Sequence, residues 1–371
     1  MITQQLKSSF SPFLISKERT SIIMLDVICS LLAPIAFAIM YAGTNALTVF
    51  VVAITSAVLT ELIFVRLYLK KSTTLLDGSA IITAILLSLT LSPFTPWYVV
   101  AFGSFGAILF GKILWGGLGK NQFNPALTGR EMMTAFFPLI MGSGALWSIT
   151  SADHLTEIRF FTLFGENDLL IYFDRLLYKT SGAMGEYSII FLILGGLYLL
   201  IRRRISWHIP VSILVCFFVL SNLVLPANIT YPIASLFLGA IYMATDMPSS
   251  PNTRPGKIFY GMVIAATAIF CIKSGVKNEF MSYSILIGNA FKTKIDEAFT
   301  PAAWGQKTEW GPKTEQIVIL IILISAVGIA LIQCNHLGIT HYLIGIYIAL
   351  MIFKFNKSAI LKSNHQTIKP A

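Results

Sequence analysis

Residues 117–131 read GLGKNQFNPALTGRE. Three glycines, two asparagines, a proline, an arginine and a glutamate interrupt a chain that is otherwise strongly apolar. On one side lies the apolar run 97–115, and on the other the chain turns apolar again beyond Glu131. Backbone groups freed by Pro125 and by the glycines are costly against hydrocarbon, but they are tolerated where they line a buried site. The stretch therefore reads as a break between two membrane crossings. Asn124 before Pro125 also has the form of a helix N-cap followed by proline in the first turn. Asn121 and Asn124 each donate and accept hydrogen bonds, which suits a neutral heterocycle with ring carbonyls and nitrogens. Capping and ligand binding are compatible, and both readings stand at this point.

The rest of the chain fits that context. Of its 371 residues 56% are hydrophobic and 12% charged, with a mean hydropathy of +0.76. An average soluble domain carries roughly 25% charged residues. Residues 22–43, 46–69, 97–115, 189–201, 210–225, 259–272, 317–332 and 342–353 are long apolar runs with few charges. A crossing helix needs about 20 such residues. The runs are continuous rather than alternating, which excludes a β-barrel. The expected fold class is all-α, a polytopic transmembrane helical protein of about twelve crossings.

The net charge of +10 is a matter of topology. Basic residues fall in every second connection: Lys7, Lys17 and Arg19, then Lys70 and Lys71, Lys120, Arg202 to Arg204, Arg254 and Lys257, and Lys292 to Lys313. A basic tail from Lys354 closes the series. By the positive-inside rule these connections and both termini are cytoplasmic. No nucleic-acid partner is implied; the lipid bilayer is. Residues 1–20 are polar and lack a cleavage signature, so they read as a cytoplasmic segment. Cys29, Cys216, Cys271 and Cys334 have no metal-ligand spacing, and no phosphate loop or nucleophile elbow occurs.

The halves echo each other. Residues 79–93, SAIITAILLSLTLSP, and 235–248, SLFLGAIYMATDMP, are short apolar helices ending at a proline. Each precedes another span and then an asparagine among small residues, Asn124 in the first half and Asn289 in the second. Five crossings per half would invert one copy relative to the other, and inverted repeats with broken helices place polar sites between the copies. The expected organisation is a cytoplasmic segment 1–20, a first repeat 21–147, an extracytoplasmic loop 148–187, a second repeat 188–305, and an extra hairpin with tail, 306–371. The hairpin is expected to pack on another subunit. Glu61, Asp77 and Asp246 are ion-pathway candidates, because carboxylates within spans are costly and often functional. Glu131 reads as partly solvated at the cytoplasmic side. Glu61 and Arg66, five apart, are poorly placed to pair on one helix face.

Ordered motifs across most of the chain resemble the NqrB/RnfD family. The match is nearer to the RnfD subunits of Rnf-type electron transport complexes than to the NqrB subunits of the sodium-pumping NADH:quinone reductase. The motifs include SIIMLD at 21–26, DGSAIITAIL at 77–86, GGLGKNQFNPALTG at 116–129, GGLYL at 195–199, SWHIPVS at 206–212, MATDMPSSPNTR at 243–254 and ILIGNAFKTKI at 285–295. The resemblance implies a bacterial inner-membrane subunit of an ion-translocating oxidoreductase rather than a stand-alone enzyme. Other membrane and peripheral subunits are its implied partners, and Na⁺ or H⁺ its coupling ion. It also implies a non-covalent flavin, riboflavin or FMN, near the asparagine-proline motif. Asn121, Phe123 and Asn124 are then candidate flavin contacts, and Asn289 joins them through the repeat.

One departure stands out. The family's covalent FMN is carried by a threonine in an outer loop. The matching frame here is WSITSADHL, 147–155, where Asp153 occupies the acceptor position. A carboxylate cannot form that phosphoester and repels phosphate, so covalent FMN is expected to be absent. The loop segment 167–179, amphipathic at helical spacing, suits partner docking or the membrane interface as well as a solvated helix. Two other readings fit the broken-helix pattern: a channel or carrier for a small neutral solute such as urea, and a redox-silent scaffold subunit.

Overall fold

The computed structural model describes residues 20–69, 77–143, 147, 182–226, 229, 231–276, 278–301 and 310–367. The frame around Asp153 and the segment 167–179 lie outside these residues, apart from Trp147. Among the described residues the secondary structure is helical, without strands.

The first half opens with α1, Thr20–Phe64, which is two crossings joined at Gly43. There φ is 60° and ψ −137°, a conformation open to glycine and strained for other residues. The join falls where the apolar runs 22–43 and 46–69 meet. Next come α2, Ser79–Leu89, and α3, Trp97–Ile108, continued by a π-turn Leu109–Ile113. Then α4 spans Pro125–Phe136. The second half is α5 (Ile189–Ile201), α6 (His208–Val224), α7 (Ile233–Leu238, continued by a π-turn Gly239–Met243), α8 (Arg254–Lys273) and α9 (Phe280–Phe299). A hairpin follows, α10 (Trp310–His336) and α11 (Thr340–Thr367).

The two halves share one order of elements: two crossings, a short broken helix, then two more. The broken helices α2 and α7 with its π-turn each stop short of a full crossing and give way to a proline-bearing bend. With α1 counted as two, helices α1 to α11 number twelve, two of them, α2 and α7, too short to cross alone. Three stretches, Thr20–Leu67, Arg254–Lys273 and Gly311–His336, are individually long and apolar enough to span.

Small residues let the helices approach closely. A side chain on Gly129 of α4 would stand 2.5 Å from the Gly103 carbonyl of α3, and one on Gly111 would meet the Pro125 backbone at 2.7 Å. α3 and α4 thus pack backbone to backbone, as small residues permit in membranes. α8 lies against both α6 and α9, and α1 against α2, α3 and α5. At one end of α1, Asp26 accepts from Arg204 Nε at 2.6 Å and from the Tyr198 hydroxyl at 3.0 Å, fastening α1 to the end of α5.

The hairpin does not stand apart. α10 packs on α8 and α9, and α11 on α4. The Tyr347 hydroxyl donates to the Phe110 carbonyl at 3.0 Å and accepts from Trp115 Nε1 at 3.1 Å. Asn335 donates to the Tyr283 hydroxyl at 2.8 Å. Much of the remaining surface of both helices is apolar and exposed.

Candidate functional site

The break that follows α3 is a run of left-handed turns. Gly116, Gly117 and Gly119 have φ of 107°, 96° and 82°. They return the chain so that Asn124 can begin α4. Asn124 is buried, and its Oδ1 accepts from the backbone N–H groups of Ala126 and Leu127 at 3.0 and 3.3 Å. This is the N-cap that the sequence suggests, with Pro125 in the first turn. The other end of the amide reaches into the second half: Nδ2 donates to the Met243 carbonyl at 3.0 Å, at the end of the π-turn of α7. A widened turn leaves carbonyls in need of partners, and the asparagine supplies one.

Asn121 makes the parallel connection. Its Nδ2 donates to Asp246 Oδ2 at 3.1 Å and to the Phe123 carbonyl at 3.2 Å. Asp246 also accepts from the Ser249 hydroxyl at 2.8 Å. Asn289 lies in the interior of α9. With its amide oriented to satisfy both ends, it accepts from the Asn124 backbone N–H at 3.0 Å and donates to the Ser249 carbonyl at 3.1 Å. The repeat pattern pairs Asn124 with Asn289 as equivalents. In the fold Asn124 caps α4, and the residue that precedes α9 in the same way is Glu279. The two asparagines touch without being counterparts.

Beside this junction is a cavity of about 310 Å³ between the halves. Its walls are mainly the apolar side chains of α1, α2 and α7. Asn121, Asn124, Lys112, Ser79, Thr83 and Asp246 bring polar groups to it. Such a lining, apolar with a few placed polar groups, is typical of a small-molecule site, and the volume is near the lower end of the usual range of about 300–1,000 Å³. Both Nδ2 hydrogens of Asn121 are spent on protein partners, while its Oδ1 has none among the described residues. Phe123 is not in the lining. It meets Trp115 and Tyr347 edge to face, at 6.2 and 5.9 Å between ring centres.

Glu61 and Asp77 come together through a residue that does not stand out in the sequence. Lys112, inside the run 97–115, places Nζ 2.6 Å from Glu61 Oε1, and both side chains are buried. Lys112 also donates to the Ser79 hydroxyl at 2.5 Å. Ser79 in turn donates its backbone N–H to Asp77 Oδ1 at 2.8 Å, and its hydroxyl bonds to the same oxygen. A buried ion pair is expensive unless further hydrogen bonds complete it, and Ser79 does so here. Asp246 belongs to the other polar junction, with Asn121.

A second polar crossing involves residues outside the expected site. Arg130 of α4 is buried and holds Glu279 with two hydrogen bonds, Nε to Oε2 at 2.7 Å and Nη2 to Oε1 at 3.0 Å. It also donates to the carbonyls of Thr90, at the end of α2, and Asn278. Glu131 is not partly solvated, contrary to the expectation from its sequence neighbours. Its side chain points into this crossing and the residue is 7% exposed. The helix it belongs to is walled by α2, α3, α9 and α11, so position near a basic loop is a poor guide to its exposure. Among the described residues no cluster of three or more His, Cys, Asp or Glu side chains could hold a metal ion.

The family profile described as NQR2, RnfD, RnfE matches residues 7–305. The chain belongs to the NQR2, RnfD, RnfE family. It is 36% identical over 319 residues to the D-type subunit of the proton-translocating ferredoxin:NAD(+) oxidoreductase complex of Clostridium ljungdahlii, covering 81% of this chain and 96% of that protein. To the D-type subunit of the Na(+)-translocating ferredoxin:NAD(+) oxidoreductase complex of Acetobacterium woodii it is 35% identical over 300 residues, covering 80% and 93%. To the D-type subunit of the ion-translocating oxidoreductase complex of Stutzerimonas stutzeri it is 32% identical over 334 residues, covering 78% and 93%. The family match ends at residue 305, before the hairpin α10–α11.

Proposed function

We propose that this chain is the D-type membrane subunit of an Rnf-type complex in a bacterial inner membrane. In that complex, flavin-mediated electron transfer drives movement of Na⁺ or H⁺. The observation that supports the reading best is the cavity at Asn121 and Asn124, lying where the two halves meet. The relatives named above supply the complex and the coupling. One is named for protons and another for Na⁺, so the ion is left to experiment.

A non-covalent flavin fits the lining in kind. The apolar walls suit a flat ring system, the Asn121 Oδ1 offers an acceptor to a ring N–H, and Lys112 brings a fixed positive charge. When bound, a flavin supplies one- and two-electron transfer. The chain's own residues hold and screen it: α2 and α7 exclude water, and Glu61 with Ser79 fixes the ammonium of Lys112 at the cavity. A positive charge held there stabilises negative charge arriving nearby, at no cost in reorganisation. Asp153, in place of the acceptor threonine, leaves the outer loop without covalent FMN in this reading.

The test is a visible absorbance spectrum of the complex purified under mild conditions, followed by acid release and identification of the flavin, with the co-purifying subunits identified alongside. A releasable flavin assigned to this subunit is expected. If the chain co-purifies with its complex but holds no flavin, the redox part of the reading is overturned and a scaffold remains.

A further inference from the structure

The turn 114–124 carries Asn121 at the cavity, and it is held from two sides. On one side is the second half of the chain: Asn121 donates to Asp246, and Gln122 Nε2 donates to the Ala290 carbonyl at 3.3 Å. On the other side is α11. Beyond the π-turn Leu109–Ile113, the backbone N–H groups of Leu114, Gly116 and Gly117 turn back to the carbonyls of Leu109, Ile113 and Lys112, passing over that of Phe110. Carbonyls at a helix end need a partner from elsewhere. The Tyr347 hydroxyl of α11 supplies it at 3.0 Å.

The same hydroxyl accepts from Trp115 Nε1 at 3.1 Å, and the Lys354 ammonium lies 3.9 Å from the centre of the Trp115 ring, within cation–π range. Phe123 meets both Trp115 and Tyr347 edge to face, and its carbonyl accepts from Asn121 Nδ2. Tyr347 thus reaches two polar residues of the cavity. It reaches Lys112 through the Phe110 carbonyl of the same π-turn, and Asn121 through Trp115 and Phe123. These contacts come from beyond the family match, which ends at residue 305.

We propose that α11 braces the cavity: Tyr347, with Lys354, is a positioning residue that fixes Trp115 and Phe123, and through them the turn that presents Lys112 and Asn121. Phe123 thereby serves the site from outside its lining. What the cavity holds rests on the proposed function; the brace does not.

The experiment is hydrogen–deuterium exchange of the full chain, read by mass spectrometry at residues 114–121 and 249–250. The N–H groups of Ser249 and Ser250 donate to the Asp246 carbonyl, so they report whether Asn121 still holds Asp246 at the cavity. Amides bonded within a turn exchange when the turn opens. In Tyr347→Phe, exchange is expected to quicken by at least about fivefold at both segments. A hydroxyl that merely docks the hairpin would leave 249–250 at the wild-type rate, and that outcome overturns the proposal. Asn335→Ala is the control, because it loosens the hairpin at Tyr283 of α9 instead. Equal quickening in Asn335→Ala overturns the assignment to Tyr347. Should Tyr347→Phe not fold, Lys354→Gln and Lys354→Arg take its place. Lys354→Gln is expected to quicken exchange at both segments, and Lys354→Arg, which keeps a cation over the ring, to hold the wild-type rates. Wild-type rates in Lys354→Gln, or equal quickening in both, overturn the proposal. Because exchange needs no flavin, a complex found without flavin would overturn the redox reading and leave this result standing.

Discussion

Lys112 Nζ stands 2.6 Å from Glu61 Oε1, joining the π-turn after α3 to the second crossing of α1 in a dry part of the fold. Removing one partner leaves the other charge buried and uncompensated, at a cost of about 3–5 kcal/mol. Lys112→Met is therefore expected to lower the thermal unfolding midpoint sharply in detergent. The pair Lys112→Met with Glu61→Gln should regain much of the loss, and a double-mutant cycle measures the coupling. Equal losses in the single and double variants would show that the pair does not act as a unit.

Asn124 has two separable duties. Asn124→Ala loses the cap, a loss of about 1 kcal/mol in typical helices, and also leaves the Met243 carbonyl unsatisfied. Asn124→Ser keeps a capping acceptor for the start of α4 but is too short to reach the Met243 carbonyl. Unfolding midpoints should fall in the order wild type, then Ser, then Ala, and Asn124→Asp, which buries a carboxyl group against that carbonyl, should melt below wild type as well. Identical midpoints for wild type, Asn124→Ser and Asn124→Ala would show that neither duty matters to stability.

Filling the cavity should evict its occupant. Thr83 of α2 lines it. Thr83→Phe is expected to strip flavin absorbance from the purified complex while its subunits still co-purify, with an overpacking cost of about 1–3 kcal/mol. Retention of the wild-type flavin content would place the flavin elsewhere.

Intact and peptide mass spectrometry should find no FMN adduct on residues 147–155. An added FMN mass on any of them would refute the reading of Asp153 as a lost attachment point.

Tyr347→Phe removes a hydroxyl that serves the Phe110 carbonyl and the Trp115 indole at once. The expected loss is about 1–3 kcal/mol, since a buried group is left unpaired. Protease should then cut between residue 305 and α10 more readily than in wild type. Unchanged protease sensitivity and melting would mean that the hairpin is held by its apolar contacts alone.

Much of this architecture is legible in the chain. The apolar runs mark the crossings, the join at Gly43 falls between two of them, and Asn124 with Pro125 announces the start of α4. The partners are harder to find. Lys112 is lost inside a run judged by its average, because a single charge hardly changes the hydropathy of 19 residues. Arg130 and Glu279 meet only because α4 and α9 pack together, and nothing local to either residue records it. Glu131 is misplaced for the same reason: its neighbours in sequence are polar, while its neighbours in space are helices. The echo between Asn124 and Asn289 finds two residues that do touch but misjudges their equivalence, since small residues around an asparagine recur by chance in packed helices.

The π-turn at Leu109–Ile113 holds one more residue than an ordinary helical turn. That surplus sets the phase of α3 around its axis. Deleting a single residue there would close the turn to an ordinary α-turn and re-aim the residues within it, Phe110 and Lys112 among them. Lys112 would turn away from Glu61, and Phe110 would carry its carbonyl out of reach of Tyr347. A change of one codon would thus uncouple the buried charge and the C-terminal hairpin together, though the hydropathy of the segment would scarcely register it.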